Sequence, residues 1–169
     1  MSRFRHRPPA PVLDRLDLAG GDGALVSVAL VGGGWAVASR HALHLVPPDE
    51  AAPVAATPWC DVDRGSLDPT TRILTIWWVS GARRELVLPE DADAQAFART
   101  FRDRVQQSVV HAVNVALPGG GQARVALRRD VDGSLFTQTL GSVADADDPA
   151  VAAALAKAEA AVREAAGLA

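Results

Sequence analysis

The sequence predicts an α+β protein in which short strands come first and a helix closes each group of strands. Between residues 20 and 89, apolar runs of strand length alternate with turns rich in Gly and Pro. From residue 91 the apolar period changes from two to about four, which indicates a helix. The same succession of strands followed by a helix recurs between residue 113 and the C-terminus.

Six strands are predicted in the first group. The strongest is 73–79, whereas the Ala- and Pro-rich segment 49–57 is expected to be a loop. The close spacing of the runs predicts an antiparallel meander that curls into a small barrel or a bent sheet. The predicted strands are 25–31, 35–39, 42–46, 58–63, 73–79 and 84–88.

One amphipathic helix is predicted after these strands and is expected to cover them. Asp91 or Asp93 is a suitable N-cap, because a short carboxylate can accept the first free backbone N–H groups. The apolar side chains recur at every fourth position and therefore share one helical face. They are Phe97, Phe101, Val105 and Val109.

A smaller β-meander and a C-terminal helix are predicted in the second group. The strands are expected at 113–117, 123–128 and 135–140. Asp148 caps the final helix, Pro149 takes its first position and Gly167 ends it. Its narrow apolar stripe predicts packing on a sheet or a partner. The stripe is Val151, Leu155, Ala158 and Val162.

The chain is therefore divided into three segments. Residues 1–12 are expected to form a flexible, basic, proline-rich tail. Residues 13–110 hold the first strand meander and its helix. Residues 111–169 hold the second meander and the final helix, which we expect to pack on the first part.

Composition limits the classes of function. A net charge of −3 argues against nucleic acid as a partner, because domains that bind it are usually basic. Cys60 is the only cysteine, so no disulfide framework is expected. The basic residues 3–7 resemble the start of a signal peptide, but Pro8, Pro9 and Pro11 follow where an apolar segment would stand. We therefore expect a cytoplasmic protein.

Several short motifs carry a resemblance to known proteins. They are Pro58-Trp59 with Val62, Leu67-Asp68, Arg104 to Val109, Arg128-Arg129 and Asp145 to Pro149. With them, the chain from about residue 20 is similar to a group of short, uncharacterised actinobacterial proteins, and its first part resembles the pleckstrin-homology-like superfold in its bacterial form. The scarcity of lysine, with Lys157 the only one, is typical of such GC-rich genomes. Leu67 departs from the pattern, where a tryptophan is expected. The motifs carry no chemistry, so the resemblance implies a fold and no function.

No pattern indicates a catalytic, metal or cofactor site. His41 and His44 are three residues apart, so on one strand they point to opposite faces and cannot share an ion. The segment 130–133 resembles the start of a calcium loop but lacks the later oxygen ligands. Asp61 beside Cys60 would raise the pKa of the thiol, the wrong direction for a nucleophile. The glycine clusters precede no phosphate-binding Lys-Ser or Lys-Thr.

Trp77 and Trp78 are the first candidates for an interaction surface. Neighbours on a strand point to opposite faces, so we expect them to differ sharply in burial. Trp78 shares its face with Leu74 and Ile76 and is predicted to face the core, which leaves Trp77 outward. Either the second meander or final helix covers Trp77, or Trp77 is an exposed anchor for a partner.

Arginines are the second group of candidates. Arg3, Arg5 and Arg7 in the tail could attract an anionic membrane surface. Arg124 and Arg128 share a strand face and could contact phosphate, although a solvated strand face is the simpler explanation of them. The sequence therefore predicts a non-enzymatic cytoplasmic module that binds another protein. A peripheral binder of anionic membranes is the alternative, and an enzyme is the third.

Overall fold

The computed structural model of the chain describes residues 8–141, 143 and 147–168. The predicted α+β class is confirmed, with three antiparallel sheets and three α-helices in this part of the chain. The strands are β1 (Ala24–Ala29), β2 (Trp35–Ser39), β3 (Ala42–Val46), β4 (Ala55–Pro58), β5 (Val62–Leu67), β6 (Ile73–Trp78), β7 (Arg83–Val87), β8 (Val109–Ala116), β9 (Gln122–Arg129) and β10 (Leu135–Leu140). The helices are α1 (Ala10–Leu13), α2 (Ala92–Ser108) and α3 (Pro149–Ala165).

The first two sheets are consecutive meanders, with strand orders β1-β2-β3-β4 and β5-β6-β7. Within the described residues they stay separate and do not close into a barrel. The predicted single strand 58–63 is wrong. A 3-10 turn, Trp59–Asp61, separates β4 from β5, and β4 occupies the end of the expected loop 49–57. Pro58 at the start of this turn has no backbone N–H to donate, so β4 ends there.

Helix α2 packs against both sheets through its apolar face, as its spacing predicts. Asp91 is the N-cap, and its carboxylate accepts a 2.8 Å hydrogen bond from the Ala94 N–H. Phe97 and Phe101 are buried in the largest apolar cluster, where the Trp59 ring meets Phe101 edge-on at 5.7 Å. The helix ends at Ser108, one residue before the predicted Val109.

The third sheet has the order β10-β9-β8, and α3 packs on it as predicted. Val109 begins β8 directly after α2, so the strand starts four residues earlier than expected. The Asp148 carboxylate accepts a 2.7 Å hydrogen bond from the Ala150 N–H at the start of α3. Val151, Ala158 and Val162 are its buried side chains. We call β1 to α2 the first part and β8 to α3 the second part.

The N-terminal segment differs from the expected free tail in its described portion. Val12 and Leu13, the last two residues of α1, pack beside the buried Leu16. The Arg15 guanidinium then donates hydrogen bonds to the carbonyl oxygens of Pro47 at 2.8 Å and Ala52 at 2.9 Å. Residues 12–16 are thus attached near the β3–β4 loop, while residues 1–7 lie outside the described residues. Across the described chain, the helices lack the combination of length and apolar character that a bilayer crossing needs.

Candidate interaction site

Strand β9 joins the two parts, because its two faces pack on different partners. Alternate residues Val125 and Leu127 are fully buried in a cluster with α3. The residues on either side of this pair, Arg124 and Arg128, point toward β5 and α2, where their guanidinium groups meet polar atoms. We call this contact between the second face of β9 and the first part the seam.

Arg128 is fully buried in the seam. Its Nη1 donates to the Val62 carbonyl oxygen at 3.0 Å and to the Ser108 hydroxyl oxygen at 2.9 Å. Burial lowers the pKa of Arg128, an effect that the nearby Asp63 carboxylate opposes, and a guanidinium stays charged at neutral pH. The expectation that Arg128 lies on a solvated strand face is therefore wrong, because the first part covers this face of β9.

Arg124 lies on the same face, nearer the edge of the seam. Its Nη1 is 3.8 Å from the Asp63 carboxylate, and the same carboxylate accepts a 2.7 Å hydrogen bond from Arg64. The Arg64 guanidinium lies 4.5 Å from the centre of the Trp77 ring, in cation–π geometry. Two sequence-predicted candidates, Trp77 and Arg124, are thus joined through two residues that the sequence did not single out.

The two neighbouring tryptophans face opposite sides of their sheet, as strand alternation predicts. Trp78 packs against the largest apolar cluster beside the buried Leu74 and Ile76. Trp77 lies on the other face, with Arg64 and Arg83 as its cross-strand neighbours. The predicted sharp difference in burial is not found, because both residues are half-buried. Arg64, and not the second meander or α3, is the described side chain that stacks on Trp77.

A groove of about 410 Å³ opens beside this chain of contacts. Its floor is apolar, and its rim carries three guanidinium groups and one carboxylate. We call it the β5–α2 groove, and it is lined by Asp63, Arg64, Gly65, Phe101, Arg102, Val105, Gln106, Val109 and Arg124. Asp63 already contacts Arg64 and Arg124, whereas exposed Arg102 has no partner among the described residues. The groove therefore has an excess of positive charge.

Gly65 lets β5 lie directly against the Phe101 ring in the floor of the groove. A Cβ atom at this position would collide with the Phe101 ring, so any side chain here would force α2 away from β5. Gly65 belongs to β5, which is the terminal strand of its sheet. Past Val62, whose carbonyl oxygen is occupied by Arg128, residues 64–67 of this strand are exposed.

Sequence reasoning missed Arg64, Gly65 and Arg102 as parts of a site. Arg64 and Gly65 lie in β5 whereas Arg102 lies in α2, and no local period links the two elements. Positions 63–66 read Asp-Arg-Gly-Ser, which lacks the apolar alternation of a strand. The predicted candidates Arg3, Arg5 and Arg7 lie outside the described residues.

The residues weighed for catalysis or metal binding are held in structural contacts. Burial, with the Asp61 and Asp130 carboxylates, raises the pKa of the Cys60 thiol to about 11, so it stays protonated at neutral pH. His44 is buried, and its Nε2 shares a 3.1 Å hydrogen bond with the Ser39 hydroxyl. In the described portion of the chain, His, Cys, Asp and Glu side chains form no group of three that could hold a metal ion.

Comparisons with models of protein families, with curated proteins and with solved structures found no match to this chain.

Proposed function

We propose that this chain is a non-enzymatic binding module that takes a segment of another protein in the β5–α2 groove. The observation that carries the proposal is the groove of about 410 Å³, whose apolar floor lies beneath an arginine-rich rim. Phe101 and Val105 supply that floor, and Arg64, Arg102 and Arg124 supply the rim. A surface that is apolar at its centre and charged at its edge has the composition of a protein-binding site.

We further propose that the first part has a pleckstrin-homology-like fold. Its element order supports this assignment: a four-stranded meander, a three-stranded meander and one helix packed on both. Folds of this kind can bind an extended peptide as an added strand on a sheet edge. Strand β5 offers such an edge, since its residues 64–67 are exposed and no strand among the described residues pairs with it on that side.

The partner segment that fits this groove is acidic and carries at least one large apolar side chain. The apolar side chain would lie against half-buried Val109 and the stems of the rim arginines, with Phe101 and Val105 beneath. Burial contributes about 25 cal/mol for each Å² of apolar surface removed from water. The carboxylates would lie against the rim, where Arg102 has no partner among the described side chains. Charge on the rim would determine mainly the association rate and the choice of partner.

Selection of peptides from a random displayed library on the full chain tests the proposal. We expect enrichment of acidic peptides with an aliphatic or aromatic residue. Binding should weaken about tenfold in the Arg102→Glu variant, because this change reverses a rim charge. Arg99→Glu is the matched control, since exposed Arg99 is on the same helix but does not line the groove.

Two results would contradict the proposal. One is a selection that enriches no acidic class, and the other is an equal loss of binding in the Arg99 and Arg102 variants. Binding to anionic vesicles that weakens with added salt, in the absence of peptide binding, would favour the membrane-surface alternative. Circular dichroism of both variants would show that neither charge reversal unfolds the protein.

A further inference from the structure

A second cleft, of about 210 Å³, lies at the seam. It is formed where the 3-10 turn after β4, the last turns of α2, the β2–β3 turn and the β9–β10 turn meet. Its cationic side chains are Arg40, Arg104 and Arg129. We call it the Trp59 cleft, after the buried tryptophan in its wall. The Trp59 cleft and the β5–α2 groove have no lining residue in common.

The arginines of the Trp59 cleft come from three separate elements, and they outnumber its one lining carboxylate, Asp130. The Arg104 Nε is shielded from solvent and has no hydrogen-bond partner in the described part of the protein. Neither Arg104 nor Arg129 forms an ion pair with a described side chain. A shielded donor without a partner is unfavourable in the free protein, and a bound acceptor would remove that penalty.

The one carboxylate among the lining residues is already engaged. The Asp130 Oδ1 accepts hydrogen bonds from its neighbour's backbone, the Val131 N–H at 2.6 Å, and from the Cys60 thiol at 3.7 Å. These contacts fix the β9–β10 turn and direct that oxygen toward the turn and the thiol. Arg40 lines the cleft but donates from Nη1 to the Gly21 carbonyl oxygen at 3.3 Å, so Arg104 and Arg129 are the lining arginines without a described side-chain partner.

A fourth guanidinium lies behind the wall of the cleft. Ser108 lines the cleft, and its hydroxyl oxygen accepts a hydrogen bond from buried Arg128 while its proton is donated to the Val105 carbonyl oxygen at 2.7 Å. The Nε and Nη2 of Arg128 have no partner in the described structure. Its charge therefore adds to the positive potential around Ser108.

We propose that the Trp59 cleft binds a small oxyanion, namely the phosphate group of inorganic phosphate or of a small phosphomonoester. The planar donor fork of arginine matches phosphate oxygens, and such charge-assisted hydrogen bonds are among the stronger ones in proteins. The volume of about 210 Å³ is below the range of drug-sized ligand sites, which restricts the ligand to a small group. This proposal is independent of peptide binding in the β5–α2 groove.

Isothermal titration of the full chain with inorganic phosphate, at ionic strength held constant with sodium chloride, tests this site. We expect saturable binding and a melting temperature that rises with phosphate, because a ligand of the native state alone stabilises it. Arg104→Gln should weaken binding about tenfold or more, since it removes a charge-assisted donor. Arg99→Gln is the matched control on the same helix and should bind like the original chain.

Arg129→Gln provides a second variant, because Arg129 is exposed and its replacement should leave the fold unchanged. A comparison of inorganic phosphate with phenyl phosphate distinguishes the two ligand sources. Tighter binding of phenyl phosphate would indicate a phosphomonoester with an apolar group, and equal binding would indicate the free ion. Absence of saturation at millimolar phosphate, or unchanged binding in both the Arg104 and Arg129 variants, would overturn the proposal.

Discussion

The two faces of β9 bury their residues by opposite means. The face toward α3 presents Val125 and Leu127 to other aliphatic side chains. The face toward the first part presents Arg124 and Arg128 to carbonyl, hydroxyl and carboxylate oxygens. An apolar contact depends on how well the side-chain volume fills the space, so many apolar side chains are tolerated. A buried guanidinium instead requires hydrogen-bond acceptors at particular positions. The seam should therefore be the more specific contact and the α3 contact the more stabilising one.

Leu127→Ala should have the largest effect on stability. The side chain is fully buried, so its removal leaves a cavity and should cost about 2–5 kcal/mol of unfolding free energy. Urea denaturation measures the loss. Arg129→Ala, two residues along and exposed, serves as the control and should change stability by about 0.5 kcal/mol or less. A Leu127 variant as stable as this control would show that α3 contributes little.

The reactivity of Cys60 reports whether the seam is closed. The thiol pKa of about 11 lies well above the ordinary value of 9.0, so the folded protein holds far less thiolate at pH 8. We expect alkylation by iodoacetamide to be about a hundredfold slower than in urea, and to accelerate as the pH rises toward 11. Equal rates in the folded and unfolded chains would mean that Asp130 and the second part do not cover the thiol.

Replacement of Arg128 separates packing from hydrogen bonding at the seam. Arg128→Ala leaves a cavity and deprives the Val62 carbonyl and the Ser108 hydroxyl of their donor, at a cost of about 1–3 kcal/mol for such unpaired groups. Arg128→Met fills more of the space and removes a buried charge, so it should cost less. Thermal unfolding of both variants measures the difference. If methionine is as damaging as alanine, the hydrogen bonds that both variants lose, and not the cavity, account for the cost.

Arg64→Ala should have the smallest effect on stability. It removes the cation–π contact with Trp77, which at an exposed site contributes about 0.5–1 kcal/mol. The Trp77 ring should become more accessible, so quenching of tryptophan fluorescence by acrylamide should increase. Arg83→Ala tests the other cross-strand neighbour, and an equal increase there would show that Arg64 is not the specific cover.

Elements with their own local signals could be predicted from the sequence. Helix α3 has a capping Asp148, Pro149 in its first turn and an apolar stripe, and each signal acts within a few residues. Strand β6 is an apolar run interrupted only by Thr75. Strand β5 has no such pattern, because it lies at a sheet edge where exposed polar residues are tolerated and its register comes from pairing with β6. The sequence therefore predicts a strand at 58–63, whereas β5 is Val62–Leu67.

The candidate site could be predicted only in fragments. Trp77 and Arg124 were identified by their chemistry, but their connection through Asp63 and Arg64 depends on how β9 docks beside β5. The burial of Arg128 was not foreseen, because arginine is usually exposed and the acceptor on Val62 lies 66 positions away. Contacts at such separation follow from tertiary packing and leave no periodic pattern in the sequence.

The direct passage from α2 into β8 has a consequence for biosynthesis. When residues up to Ser108 have left the ribosome, every buried member of the largest apolar cluster, from Val26 to Val105, has already been made. Val109 of the groove and Arg129 of the Trp59 cleft have not. Because nascent domains fold from the N-terminus, the first part can become compact while both proposed sites are still incomplete. Neither ligand should then bind a nascent chain until β9 has emerged and docked.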